Sequence, residues 1–357
     1  MDADKIKAYL EGLKGKSISI FGSEPELEQL GGDFHEEVIG KLKEANFVIQ
    51  GRNKQCSFVD KYNFHCAILK SKMTYSEPSI QYNQLQFDDW IYINTMFRME
   101  GALIPKLYTL FYADKHFIEI QERVKGSPIA YSNRPHLHTK VLGRNFEDLT
   151  QAQVEQVREE LFNYNVTQQQ KLIALDNKHF EKLLETLMMF AKHNFLFGDA
   201  HAGNVLLSDN GFMLIDIDYD DILYQQRSRY AENKPVTEAE ICAAFINPFL
   251  TSTYEMFMRY LTKEQIAVIR QNNVEIFKKL TDVMSAKGML LDFNIYTFNP
   301  GSIKLGTEYI EALGEENYVK NYKYICESQI KLRQKMGLAP NLYFDELEKQ
   351  HHKNAKK

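Results

Sequence analysis

The chain has 357 residues, 44% of them apolar and 25% charged, with a formal net charge of −5. These ordinary globular values exclude a disordered or fibrous chain, and the negative balance removes the basic field expected of a nucleic-acid partner. The length exceeds what one small core needs, so two lobes or a domain with extensions are expected.

Cys56, Cys66, Cys242 and Cys326 show no CxxC spacing, which reads as free thiols in a reducing compartment and argues against a zinc site. No run approaches the ~18 apolar residues that a spanning helix needs, so no transmembrane segment is expected. The start MDADKIKAYLEGLKGKS lacks a basic region followed by an apolar one and is not a secretory signal. A soluble, cytoplasmic protein follows, although signal-less secretion would leave no mark here.

DADKIKAYLEGL and DFHEEVIGKLKEA, within residues 1–45, predict a helical N-terminal extension. NFVIQ, CSFVDK and FHCAILK then read as three consecutive antiparallel strands. Residues 80–99 have a strongly apolar helical face, and KLYTLFYAD and HFIEIQERV read as two more strands turned at ADKH. KGSP closes this segment, giving a small lobe over 46–125.

From residue 126 the character is mostly helical, with the best cases at 151–162 and 178–193. In the second, Phe180, Leu183, Leu184, Leu187 and Ala191 fall on one stripe. NVLLSDNGFMLIDID predicts a hairpin, with strands at 204–207 and 212–217 around Ser-Asp-Asn-Gly. Further helices are expected over 236–350, interrupted by NPGS and GLAPN, which divides the rest into a large lobe over 126–300 and a C-terminal helical extension with a basic tail over 301–357.

The stretch FGDAHAGNVLLSDNGFMLIDIDYDD, residues 197–221, gathers carboxylates beside two buried runs, and such charges repel one another unless a cation sits among them. Phosphoryl transfer from ATP asks a protein for position and charge neutralisation. It needs oxygen ligands for a metal that bridges the phosphates, and a carboxylate to take the acceptor's proton. Asp199 fits the base, and Asn204 and Asp216 fit the metal ligands. Asp216, between Ile215 and Ile217, reads as a strand carboxylate facing inward, with Asp218 on the same side by alternation as an assisting or competing ligand. Asp220 and Asp221 read as solvated loop charges. A calcium loop is excluded, because Asp221 and Arg227 stand where that loop needs glycine and glutamate.

GDAHAGN followed by LIDID resembles the catalytic loop and hairpin of the protein-kinase-like phosphotransferases, particularly their aminoglycoside and choline kinase branch. Asn204 follows Asp199 by five positions and Asp216 follows Asn204 by twelve, as in that motif. The resemblance covers residues 197–219 and implies an α+β, two-lobed kinase-like fold, with a small antiparallel-sheet lobe, a larger mostly helical lobe and divergent features in the small one. It implies ATP with Mg²⁺ or Mn²⁺ as cofactors and a supporting, loop-bracing role for His201.

In CAILK it implies Lys70, with Lys72 as fallback, as the phosphate grip. Asp88 or Asp89 is the best-placed acid to orient Lys70, with Glu100 a later choice. FIEIQERVKG resembles the linker between the lobes, where main-chain groups near Gln121, Glu122 and Val124 would bond adenine.

Two departures stand out. The first-strand turn QGRNKQ offers only Gly51, so Arg52 and Lys54 would supply charge in place of the amides of a glycine-rich loop. Phe197 occupies a position where the family carries histidine or arginine.

Three functions are open on this reading. One is a kinase for a hydroxyl-bearing small molecule, the second a divergent effector-type bacterial kinase acting on protein Ser, Thr or Tyr, and the third a pseudokinase that binds nucleotide or a partner without turnover. The aromatic-rich NPFLTSTYEMFMRYL reads as an ordinary core helix before it reads as an acceptor pocket. Lys320, Lys323, Lys331, Arg333 and Lys335 form a basic stretch that an anionic ligand would suit, although a solvated helix face is its default.

Overall fold

The computed structural model describes residues 49–50, 54–61, 64–71, 97–113, 116–130, 150–198, 200–217, 235–250, 261–291 and 312–338. Both predicted helices of segment 1–45, and most of the one at 80–99, lie outside these residues. The chain divides into two compact units, Met1–Lys125 and Gly126–Lys357.

The first unit carries a five-stranded antiparallel sheet built from β1 (Ile49–Gln50), β2 (Lys54–Lys61), β3 (Phe64–Ser71), β4 (Leu107–Ala113) and β5 (His116–Glu122). The spatial order is β1-β2-β3-β5-β4, so β5 enters between β3 and β4. Each strand predicted here is present, and β2 pairs with β3 along its full length, from Lys54 opposite Ser71 to Lys61 opposite Phe64. Residues 97–99 are the helical end of the stretch predicted over 80–99. Gly101, at φ 84°, closes that helix: its N–H reaches the Arg98 carbonyl at 3.0 Å, and the Ala102 N–H reaches the Phe97 carbonyl at 2.8 Å. A side chain would be strained in this left-handed cap, which is why glycine occupies it.

The second unit is mostly helical. Its long helices are α1 (Gln151–Ala174), α2 (Asn177–Lys192), α3 (Glu238–Leu250), α4 (Lys263–Ala286) and α5 (Glu315–Lys335). A three-stranded sheet of β6 (Ser127–Pro128), β7 (Val205–Ser208) and β8 (Gly211–Leu214) accompanies them in the order β6-β7-β8. The molecule is therefore α+β, a small antiparallel sheet unit followed by a larger helical one. Thr150 and Gln153 form a capping box at the start of α1, and Thr262 and Gln265 do the same for α4. Each box satisfies two main-chain donors that a helix start leaves open.

Helix α1 runs twelve residues beyond the predicted end at 162, through a sequence rich in Asn and Gln. Its buried face includes Asn165, Gln168 and Gln169. Gln169 is fully enclosed, and its Nε2 donates to the Ile269 carbonyl (3.0 Å) and to Asn273 Oδ1 (2.7 Å) on α4. Asn273 in turn donates to the Ala312 carbonyl at 2.6 Å. The polar run is thus a bonded seam between helices.

Helix α5 lays Tyr322, Ile325, Cys326 and Gln329 on one buried stripe. The Thr281 hydroxyl of α4 donates to the Ile325 carbonyl. Gln329 donates from Nε2 to Ser285 Oγ (2.6 Å) and the Met289 carbonyl (3.1 Å), and its Oε1 accepts the Leu291 N–H at 2.8 Å. One buried amide therefore seals the end of α4 and the turn after it.

Candidate active site

Helix α2 delivers the chain to the loop. Asp176 caps its start by accepting the Lys178 N–H at 3.1 Å, and that bond holds the Asp176 carboxyl below its ordinary range. Phe180, Leu183, Leu184 and Leu187 are buried as the stripe predicts, joined by Met189 and Phe190. Ala191, expected on the same stripe, is half-buried. Asn194 ends the turn at φ 55°, the Phe195 N–H returns to the Phe190 carbonyl at 2.9 Å, and Asn194 Oδ1 accepts the Val236 N–H at 3.1 Å. Asparagine tolerates this left-handed position better than a branched side chain would.

Phe195 then meets Phe190 edge-on, with centroids 5.1 Å apart, and Leu196 and Phe197 are buried behind it. The chain entering Gly198 is held by apolar packing. This explains how Phe197 serves where the resembling family carries a polar residue: here the position is part of the core.

Asp199 lies outside the described residues, and Ala200, which follows it, is buried. His201 is exposed but committed. Its Nδ1 accepts the Gly203 N–H at 3.0 Å and its carbonyl accepts the Asn204 N–H at 2.9 Å, so it caps the short 3-10 turn Ala202–Asn204. Asn204 is only 5% exposed, between Ala202 and Val205, neither of which has measurable exposure. The turn leads directly into β7.

In the hairpin, Val205 pairs with Leu214, and the ladder then gains one more bond, the Ile215 N–H to the Asn204 carbonyl at 2.9 Å. Residues 204 and 215 are thus neighbours across the open end of the hairpin, and Asp216 comes next. The second strand is shorter than the 212–217 predicted, ending at Leu214. Asp216 is exposed and adopts φ 55°, so it is not the inward-facing strand carboxylate that the flanking isoleucines predict. Alternation breaks at this point, so the same-side argument for Asp218, which lies outside the described residues, loses its basis. A non-glycine residue in the left-handed region costs about 1–2 kcal/mol and is concentrated where the chain serves a function.

The closed end of the hairpin is equally specified. Ser208 pairs with Gly211, leaving Asp209 and Asn210 as the two-residue turn. Ser208 Oγ donates to the Gly211 carbonyl (3.0 Å) and accepts the Asn210 N–H (3.2 Å). Beneath it, Phe212 packs edge-on against Phe180 at 5.0 Å and against Phe249 at 6.0 Å. Pro248, Phe249 and Leu250 are buried, so these residues of NPFLTSTYEMFMRYL belong to the core, while Asn247 and Leu261 are half-buried.

The remaining candidates belong to the first unit. Lys70 sits on β3, opposite Gln55 of β2 and Ile118 of β5. At the end of β5, Glu122 is engaged twice: its N–H donates to the Lys106 carbonyl (2.8 Å), and its Oε2 accepts the Lys106 N–H (3.1 Å). The half-buried Gln121 pairs with Ala67 and Leu107, and Val124 follows just past the strand. Arg123 lies over the Phe58 ring at 4.2 Å. Glu100 is exposed in the turn after the helix. Gly51, Arg52, Lys72, Asp88 and Asp89 lie outside the described residues, and Lys54 is described only as the start of β2.

Asn204, His201 and Asp216 are therefore brought together on one loop and hairpin. No group of three His, Cys, Asp or Glu side chains suited to a metal occurs among the described residues, a set that omits Asp199 and Asp218. Sequence reasoning missed Arg98, because no short-range pattern connects it to Glu122, which it faces at 3.6 Å. In the basic stretch of α5, Lys331 pairs with Glu327 at 2.6 Å, as a solvated helix face would. No helix among the described residues is long and apolar enough to cross a membrane.

No protein-family model matches the chain, and no curated protein matches it significantly. Among solved structures it is similar to the pseudokinase DRIK1 (drought responsive inactive kinase 1) bound to ENMD-2076. That match has 12% identity and a TM-score of 0.33, covering 83% of this chain and 92% of that one. A second pseudokinase, in its apo form, is similar at 12% identity and a TM-score of 0.35, covering 83% of this chain and 90% of that one. Likeness at this level assigns no activity.

Proposed function

We propose that the chain is a kinase-like phosphotransferase that moves the γ-phosphate of ATP to a hydroxyl acceptor, a small molecule before a protein side chain. The observation that carries this reading is the bond from the Ile215 N–H to the Asn204 carbonyl, together with the left-handed backbone of Asp216. The bond places residues 204 and 216 at one end of the hairpin, and the strained Asp216 backbone is the kind a functional carboxylate keeps.

An amide oxygen and a carboxylate are hard oxygen donors, the set that Mg²⁺ or Mn²⁺ takes beside phosphates, so Asn204 and Asp216 fit as the residues that would hold the ion. Bound there, such an ion supplies neutralisation of phosphate charge. Asp199, five residues before Asn204 on the same loop, is assigned to accept the proton of the acceptor hydroxyl. His201 braces that loop by capping the turn before Asn204. In the first unit, Lys70 is assigned to the α- and β-phosphates and the main chain of 122–124 to the adenine edge.

A second reading, nucleotide binding without turnover, is favoured by the turn QGRNKQ, where Gly51 alone stands in place of a glycine-rich loop. Thermal stabilisation by ATP, measured with and without Mg²⁺ or Mn²⁺, tests both readings together, followed by ADP release and self-labelling with labelled ATP. Asp199→Ala is expected to abolish transfer and spare ATP affinity, whereas Asp216→Ala removes metal-dependent nucleotide binding. Stabilisation without any ADP release favours the second reading. Wild-type turnover in both variants refutes the assignment of the loop.

A further inference from the structure

The helix that ends at Gly101 and the strand that ends at Glu122 are joined by one side chain. Arg98 sits on the last helical turn, and its Nη1 donates to the Ala102 carbonyl (3.5 Å) and to the Ile104 carbonyl (2.5 Å). Its Nη2 lies 3.6 Å from Glu122 Oε2, the same carboxylate oxygen that accepts the Lys106 N–H. Ala102, Ile104 and Leu107 are buried, so the connection between helix and β4 is packed in place, and Arg98 ties it to the last residue of β5.

The main chain changes character at Glu122. Its N–H and carboxylate are both engaged, Arg123 is held over Phe58, and the main chain of Val124 bonds to no other described residue. The pair therefore stands where a regular ladder gives way to residues 123–126, which lie outside the strands.

We infer that Arg98, acting through Glu122, is a positioning residue that sets the placement of the 122–124 main chain for the edge of a nucleobase. This rests on the reading of that main chain given above. A planar, forked guanidinium can reach two carbonyls and a carboxylate at once, which the single ammonium of lysine cannot. The end of β5 is consequently coupled to the end of the helix through a charged group instead of through packing alone. Arg98 touches no reacting atom in this scheme, so its loss should act on nucleotide affinity and leave the chemical step unchanged.

The test uses the full chain, a fluorescent ATP analogue with Mg²⁺, and hydrogen–deuterium exchange on the peptide spanning 122–126. Both partners are about one-third exposed, so Arg98→Ala is expected to weaken binding roughly five- to tenfold, with faster exchange at 122–126. Arg98→Lys should resemble Arg98→Ala. Glu122→Gln keeps an acceptor for the Lys106 N–H but removes the charge that Arg98 faces, so it should weaken binding in the same direction as Arg98→Ala and by a smaller factor. Exchange across α1 to α5 should stay at the wild-type level in every variant, which separates positioning from general destabilisation. A wild-type protein that binds the analogue while Arg98→Ala binds it equally well overturns this inference alone. A wild-type protein that binds no nucleotide overturns the reading of the site, and this inference with it.

Discussion

Replacing Asp216 by glycine and by alanine separates what the backbone needs at this position from what the carboxylate does. At φ 55°, a residue with a Cβ carries about 1–2 kcal/mol of left-handed strain, which glycine relieves and alanine retains. Against that, glycine loses more conformational freedom on folding, roughly 0.5–1 kcal/mol. Asp216→Gly should therefore be more stable than Asp216→Ala by about 0.5–1 kcal/mol, the reverse of the order at an ordinary helix or strand position.

Urea titration followed by circular dichroism reads this as a shift in midpoint at constant slope. The same two proteins should both fail to gain thermal stability from ATP with Mg²⁺, whereas the wild type at a hundredfold excess over its dissociation constant should gain roughly 2.7 kcal/mol. A glycine variant that is less stable than the alanine variant would show that residue 216 does not hold the left-handed conformation. A glycine variant that keeps metal-dependent stabilisation by ATP would show that the carboxylate is not a ligand.

Gly211→Ala places a Cβ at φ 102° and 2.4 Å from His179 Nδ1, so a loss of about 2–3 kcal/mol is expected in urea titration. Adding His179→Ala should recover only the part due to the clash, and full recovery would count against the backbone argument. Gln329→Ala leaves the Leu291 N–H without its buried acceptor, while Ser285 Oγ keeps its bond to the Thr281 carbonyl, and should cost about 1–3 kcal/mol by the same titration. Burial pushes the thiols of Cys242 and Cys326 up to about 12, so neither should react with an alkylating reagent at pH 8 until the protein unfolds. Because these folded-state values are raised from 9.0, their contribution to stability is complete below pH 9 and is lost as pH rises towards 12; rapid labelling of the folded protein at pH 8 would contradict this.

NFVIQ, CSFVDK, FHCAILK, KLYTLFYAD and HFIEIQERV are enough to place five strands, because β-rich composition in short runs bounded by turn residues is a local signal. The stripe Phe180, Leu183, Leu184 and Leu187 placed α2 in the same way. Spacing also placed Asn204 and Asp216 in one hairpin, since a two-residue turn converts sequence separation into cross-strand proximity.

Three features were decided by the tertiary structure alone. Helix α1 continues past residue 162 because Gln169 finds Asn273 and the Ile269 carbonyl on a helix about a hundred residues away, and no local pattern records that partner. Asp216 leaves the strand because the ladder's last bond is spent between Ile215 and Asn204, after which the chain turns left-handed. Arg98 meets Glu122 only because β4 and β5 fold back together. Local residues fix periodicity and caps, whereas the partners of buried amides and charged forks are set by which distant elements pack beside them, and that information is carried only by the folded chain.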